Sequence, residues 1–316
     1  MKAIVTTKAG PPEVLQLEER LRPEVKAGWV LVKIHATGMN RSEMYTRQGH
    51  SPNVKFPRIQ GIECVGEVAH ASDSDLAVGQ KVAAMMGEMG REFDGGYAEY
   101  ALLPRSIIIP IETSLDWLTF AAIPETYQTA YGSLKKSLRA QSGETLLIRG
   151  GTSALGMATL GLARAWGLKV ISTTRSEAKA EKLRELGATE VVIEDGKLSE
   201  KNLNPDLLLE LVGTTTLRDS LKTVRPGGTV CFTGILGNSW HLENFAPFED
   251  IPSTTRLTVY AGEGMSQPEL QEVVELVEQG KLHPNIFRVF KPEEIVEAHH
   301  LMQDGKALGK LVIDWG

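Results

Sequence analysis

Hydrophobic and polar positions change their rhythm twice along this chain of 316 residues. From Met1 to about Asp116 the apolar residues come in short runs broken by turn residues: KAIVTT, WVLVKIHATG, GIECVGEVAH, QKVAAMM, GGYAEYALLP and SIIIP. Within Val30 to His35, Val30, Val32 and Ile34 alternate with Leu31, Lys33 and His35, a period of two that predicts a strand, blurred only by Leu31. From about Leu118 to Tyr260 helical stretches alternate with apolar strands, the pattern of a parallel sheet covered on both faces. The tail is mixed, with helices expected from about Pro268 to Glu278 and Pro292 to Gln303 and a strand at Leu311 to Ile313. The class is α/β, and the expected organisation is a β-rich domain over 1–117, a doubly wound parallel-sheet domain over 118–260 and a C-terminal return over 261–316. No internal repeat or low-complexity stretch interrupts it.

Thr145 to Arg175, TLLIRGGTSALGMATLGLARAWGLKVISTTR, reads as strand, glycine turn, helix and second strand. Gly150, Gly151 and Gly156 bracket the turn, and the helix ends near Gly167. A helix that opens after a glycine turn presents unpaired N–H groups and the positive end of its dipole, which together suit a pyrophosphate. Gly151, Thr152, Ser153, Ala154 and Leu155 are the candidate cradle. Ser153 stands where the GxGxxG pattern has a glycine, so its Cβ and hydroxyl crowd an approaching phosphate unless the hydroxyl itself bonds a phosphate oxygen. The second strand, Lys169 to Thr173, leads into Thr174, Arg175 and Ser176, where an NAD-preferring protein usually carries Asp or Glu for the ribose hydroxyls. An arginine there suits a 2′-phosphate, so the expected cofactor is NADPH. Lys179, one helical turn past Ser176, is a second candidate for that phosphate. Pro205 to Val212 (PDLLLELV) reads as a further buried strand of the same sheet.

Composition narrows the partners. With 42% apolar residues, 23% charged residues and a formal net charge of −6, the chain reads as soluble and globular. Mild acidity without a basic block argues against nucleic acid as the main partner. No apolar run approaches the ~20 residues that cross a bilayer, and MKAIVTTKAGPP turns too soon for a signal peptide, so a cytoplasmic location is expected. Cys64 and Cys231 each sit in an apolar, strand-like run and are expected to be buried free thiols.

Five motifs carry a wider likeness: GMNRSEMYTRQG (Gly38 to Gly49), FPRIQGIECVGEV (Phe56 to Val68), GGYAEY (Gly95 to Tyr100), IPETYQTAYGSL (Ile123 to Leu134) and GKLVI (Gly309 to Ile313). In register over essentially the whole chain, they resemble the medium-chain dehydrogenase/reductase superfamily, and within it the zinc-independent quinone oxidoreductase-like branch. The resemblance implies a GroES-like catalytic domain completed by the C-terminal tail, a Rossmann domain between them, an active site in the cleft and, commonly, a homodimer. Zinc-dependent relatives hold their catalytic metal with Cys, His and Cys. Matching motifs puts Asn40, Ile62 and Glu125 at those positions, and the four-cysteine structural loop is missing between Met86 and Gly96. At most one carboxylate is left, which makes no tetrahedral zinc site, so no metal is expected. Adjacent His299 and His300 point in different directions on a helix and offer no substitute.

The same resemblance implies that Asn40 and Tyr45 line the substrate pocket, that Thr129 sits near the nicotinamide, and that Gly234, Leu236 and Gly237 in CFTGILG back the nicotinamide ring. Glu63 matches a shared acidic position, for which a structural ion pair and a catalytic role both stand. Without a Lewis acid, hydride addition to a quinone or enone is the fitting chemistry, because the charge spreads onto a remote oxygen that one or two hydrogen-bond donors can stabilise. Tyr45 can donate through its phenol and Asn40 through its amide. The expected function is thus NADPH-dependent reduction of quinones or α,β-unsaturated carbonyl compounds. An enoyl-thioester reductase is the enzymatic alternative, with Arg41, Arg47 and Arg91 available for a carrier phosphate. A non-catalytic NADPH-binding structural or regulatory protein is the other.

Overall fold

A computed structural model describes residues 1–72 and 74–316. The chain forms two units: Met1–Glu125 with Gly264–Gly280 and Pro284–Gly316, and Thr126–Glu263 with Lys281–His283. Among the described residues, no helix is long and apolar enough to cross a membrane.

The first unit is built round the long strand Trp29–Met39, in which the expected alternation holds only at its polar positions. Lys33 is exposed and His35 half-buried, while Val30, Leu31, Val32 and Ile34 are all buried. Leu31 is buried as well, and the strand lies inside its sheet, pairing antiparallel with Glu63–Ala71, Tyr100–Pro104 and Lys310–Asp314. Strands Ile286–Phe290, Lys81–Met85 and Ile108–Pro110 complete that seven-stranded sheet. A second sheet holds Leu15–Glu19, Lys2–Thr6 and Arg58–Ile59, all antiparallel. A core of Ile4, Met39, Met44, Tyr97, Phe290 and Ile313, among others, ties the C-terminal return to the N-terminal strands.

The second unit carries six parallel strands in the order Glu190–Ile193, Lys169–Thr174, Thr145–Arg149, Leu207–Glu210, Thr229–Phe232, Arg256–Val259. That order reverses direction beside Thr145–Arg149, and ligands of open parallel sheets bind at such a switch, beyond the carboxyl ends of the strands. Leu146, Leu147 and Ile148 are fully buried, each contributing about 1.5–3 kcal/mol by leaving water. Both cysteines are buried and free, as their apolar settings suggested.

The tail contains Gln267–Glu278 as a helix, and the stretch after Lys291 opens with a 3-10 turn, Pro292–Glu294, before the helix Ile295–Gln303. The proline explains that turn, since its missing N–H is tolerated only at a helix start.

Candidate active site

In the second unit, the turn after Thr145–Arg149 takes the shape that its glycines permit. Gly150 has φ +94, a left-handed conformation strained for other residues. A Cβ on Gly156 would lie 2.6 Å from the carbonyl oxygen of Gly150 and 2.7 Å from that of Gly151, so the helix Ala154–Ala165 packs directly against the turn. Gly151 has no room either, because a Cβ there would meet the Ser172 hydroxyl, itself buried without a hydrogen-bond partner. Ser153 resolves its own steric question. Its hydroxyl accepts the Gly156 N–H at 3.0 Å and donates to the Gly150 carbonyl at 2.9 Å, so it caps the helix and is not aimed at a ligand. The N–H groups of Ala154 and Leu155, the first two helical residues, have no intrahelical acceptor. With Thr152 they form a half-exposed rim, an arrangement that fits a pyrophosphate.

Thr174 is buried at the end of its strand and its hydroxyl accepts the Ser176 N–H at 3.2 Å. Ser176 precedes the helix Glu177–Glu185. Arg175 is exposed beside it and Lys179 half-exposed on the first turn. Gly234, Leu236 and Gly237 hang from the preceding strand's loop: the N–H of Gly234 donates to the Glu210 carbonyl at 3.1 Å, that of Leu236 to Leu211 at 3.0 Å and that of Gly237 to Val212 at 2.7 Å. Thr129 is half-buried on the helix Pro124–Tyr131.

In the first unit, strand register assembles a polar cluster. Leu311 pairs with Met39 and Val312 with Gly38, so the residues next in line, Lys310 and Asn40, come together. The Lys310 ammonium, 3% exposed, donates to Asn40 Oδ1 and Glu63 Oε1, both at 2.6 Å. Glu63 is fully buried, and its second oxygen accepts the Glu125 N–H at 2.8 Å. Gly38 makes the space, since a Cβ there would lie 2.6 Å from Lys310 Cε. Asn40 immediately precedes the helix Arg41–Arg47, and Glu43 accepts the Asn40 backbone N–H at 2.6 Å and the Ile62 N–H at 3.0 Å. Burial, reinforced by Glu63 and Glu125 nearby, pushes the Glu43 carboxyl up to about 7.

This geometry reassigns Asn40. Its amide nitrogen donates to Glu63 at 2.9 Å and faces Glu43 at 3.4 Å, while its oxygen takes the lysine proton. Both amide hydrogens are engaged inside the protein, so Asn40 cannot also serve as the acceptor-oxygen donor expected of it. Tyr45 lies five residues further along the helix, roughly 7 Å in rise. It is half-buried, with its phenol oxygen 3.5 Å from the Arg41 guanidinium. Arg47 is corrected as well: it is fully buried, bound to the Gly10 carbonyl at 2.6 Å and Gln303 at 2.7 Å, and unavailable to a carrier phosphate. Arg41 and Arg91 remain half-exposed. His299 is buried 3.4 Å from the Tyr97 hydroxyl, whereas His300 is exposed and meets Glu13 at 2.7 Å, so the two do diverge.

The residues matched to zinc-ligand positions offer poor donors. Ile62 has no donor atom, Asn40 is tied to a lysine, and a cation already sits between Asn40 and Glu63. Among the described residues, no three His, Cys, Asp or Glu side chains converge as a metal site. The donor set does not fit zinc.

Sequence reasoning missed Lys310 and Glu43. The Asn-x-x-Glu spacing at Asn40–Glu43 is a helix-start signal that could have exposed the second. Lys310 stands in the GKLVI motif, but no local pattern marks its role.

Comparison with known proteins places this geometry in a family. Residues 26–113 match the model described as the alcohol dehydrogenase GroES-like domain, and residues 186–313 match that described as zinc-binding dehydrogenase. A quinone oxidoreductase of Mus musculus is 30% identical over 334 residues, spanning 99% of this chain and 97% of that protein. An acryloyl-coenzyme A reductase of Sulfurisphaera tokodaii is 25% identical, spanning 99% of each. The crystal structure of the quinone oxidoreductase from Coxiella burnetii superposes with a TM-score of 0.89 at 28% identity, covering 100% of this chain and 99% of that one. The chain therefore belongs to the medium-chain dehydrogenase/reductase superfamily, in its quinone oxidoreductase-like branch.

Proposed function

We propose that this oxidoreductase uses NADPH to reduce quinones or α,β-unsaturated carbonyl compounds without a metal. The observation that carries the metal-free chemistry is the Lys310 ammonium bound between Asn40 and Glu63, beside an isoleucine where a ligand would be needed. NADPH, when bound, supplies a hydride. The chain's residues do the rest. The N–H groups of Ala154 and Leu155, with Gly151, Thr152 and the turn that Ser153 caps, hold the pyrophosphate. Exposed Arg175, flanked by Thr174 and Ser176, pairs with the 2′-phosphate, and Lys179 adds positive charge. Thr129, Gly234 and Leu236 bound the nicotinamide end.

Tyr45 donates its phenolic O–H to the oxygen on which negative charge develops, and the neighbouring Arg41 guanidinium, 3.5 Å from the phenol oxygen, orients the phenol. Asn40 acts through structure: bound to Lys310 and Glu63, it sets the start of the helix that carries Tyr45. A second reading, an enoyl-thioester reductase, draws on half-exposed Arg41 beside Tyr45 and on the acryloyl-coenzyme A reductase relative. The proposal includes a cytoplasmic homodimer. Two free cysteines suit a reducing compartment, and the edge strand Arg256–Val259, with Val259 59% exposed, suits pairing between copies.

Tyr45→Phe tests the assignment, because it keeps the ring and removes the donor. An oxyanion donor is worth up to about 3–4 kcal/mol in a water-excluded site. Charge delocalised over a quinone or enone reduces that, so turnover should fall about 10- to 100-fold while NADPH affinity holds. Unchanged turnover with both a small quinone and a 2-alkenal would remove Tyr45 from the chemistry.

A further inference from the structure

Arg149 is fully buried in the second unit and has no part in the chemistry above. Burying a guanidinium is costly, and apolar residues of similar size would fill the same space at less cost. What the charge does is connect strand ends. Arg149 closes the strand Thr145–Arg149, directly before the turn at Gly150. Its Nε and Nη2 bind both oxygens of Glu194, at 2.9 and 2.8 Å. Nη1 reaches Asp219 Oδ2 at 2.8 Å, the Ser220 hydroxyl at 2.9 Å and the Thr216 carbonyl at 3.1 Å.

From Ser220 the path continues. Its hydroxyl donates to Glu210 Oε2, and Glu210 Oε1 accepts the backbone N–H groups of Val212 and Gly213 at 2.7 and 2.9 Å. Val212 in turn accepts the Gly237 N–H at 2.7 Å. Gly213, at φ +114, lies so close under the loop that a Cβ would stand 3.2 Å from the Gly234 carbonyl oxygen. A continuous set of directional bonds thus joins the residue before the glycine turn to the loop Gly234–Gly237, all within one unit.

We propose that Arg149, Ser220 and Glu210 form a positioning relay that sets the distance between the glycine turn and the Gly234–Gly237 loop, and hence between the seats for the pyrophosphate and nicotinamide ends of the cofactor. This rests on the dinucleotide reading above. The relay makes its own demand: breaking it should loosen the nicotinamide end and spare the adenosine end. Core disruption alone would weaken both.

The test uses the full-length protein with Ser220→Ala and Glu210→Ala, which cut the relay at different points, and Glu210→Gln, which still accepts the two N–H groups. Each is titrated with NADPH and with adenosine 2′,5′-bisphosphate, a fragment lacking the nicotinamide. Losing one buried hydrogen-bonded link should weaken NADPH about fivefold or more, leave the bisphosphate within about twofold, and be largely restored in Glu210→Gln. If one alanine variant does not fold, the other carries the comparison. Equal weakening of both ligands, or no weakening of either, would overturn the relay. A wild-type protein that binds the bisphosphate but gains nothing from the nicotinamide half would overturn it as well, whereas a wild type that binds neither ligand refutes the cofactor reading itself.

Discussion

Replacing Lys310 by methionine removes a cation from a buried cluster while keeping most of its volume. In the native protein its ammonium has two bonds of 2.6 Å, to Glu63 and Asn40, and both charged side chains are at most 3% exposed. Lys310→Met leaves the Glu63 carboxylate with neutral donors, the Asn40 amide and the Glu125 N–H. Stranding one member of a buried ion pair costs about 3–5 kcal/mol. For a unit of this size each kcal/mol moves Tm by about 2–4 °C, so the midpoint should drop by roughly 10 °C. The assay is thermal and urea unfolding of the single variants Lys310→Met and Glu63→Gln and of the double variant. Because the penalty is mostly an uncompensated charge, the double variant should be less destabilised than the sum of the two single losses by at least about 2 kcal/mol. A Lys310→Met protein within about 1 kcal/mol of wild type, or a double variant showing the plain sum of the two losses, would refute the view that the cluster is held by this ion pair.

Arg175→Ala should weaken NADPH about 10- to 100-fold, the value of one partly exposed charge-assisted contact of about 1.5–3 kcal/mol, and leave NADH nearly unchanged; titration of both cofactors into both proteins checks it, and equal weakening would show that Arg175 does not read the phosphate. Glu43 gives a pH signature, since its carboxyl is raised from 4.5 to about 7 on folding. The folded protein then holds a proton that the unfolded chain releases, so this contribution is complete below pH 4.5 and is lost as pH rises through 7, amounting to at most about 3 kcal/mol. Glu43→Gln does not titrate; its stability relative to wild type should therefore climb across that window in urea unfolding, and parallel curves would contradict the assignment.

The second unit was largely legible because its signals are local. A glycine turn, a following helix and apolar strands of four to six residues each report on neighbours in sequence, and the parallel sheet follows from their alternation. Even the relay left a trace, in Arg149 and Glu210 at the ends of otherwise apolar strands, opposite charges that two buried strands must reconcile. The first unit hid more. That Lys310 meets Asn40 depends on the pairing of Leu311 with Met39, a contact across most of the chain that no window of sequence contains. Asn40 illustrates the consequence: an amide beside a reactive site reads as a free donor until its partners, one local and two distant, are seen to occupy it. Arg47 misled for the same reason, since only packing against Gly10 and Gln303 reveals that it is internal.

The activity proposed for this chain is a metal-free NADPH-dependent reduction. Its most direct test is the rate of NADPH oxidation by chelator-treated protein, with metal content measured on the same sample, across a small quinone, a 2-alkenal and an enoyl thioester. Turnover is expected with the quinone or the alkenal at less than about one-tenth zinc per chain, within the 1–1,000 s⁻¹ span usual for enzymes. Activity that disappears on chelation and returns with stoichiometric zinc, or no NADPH oxidation with any acceptor, would contradict it.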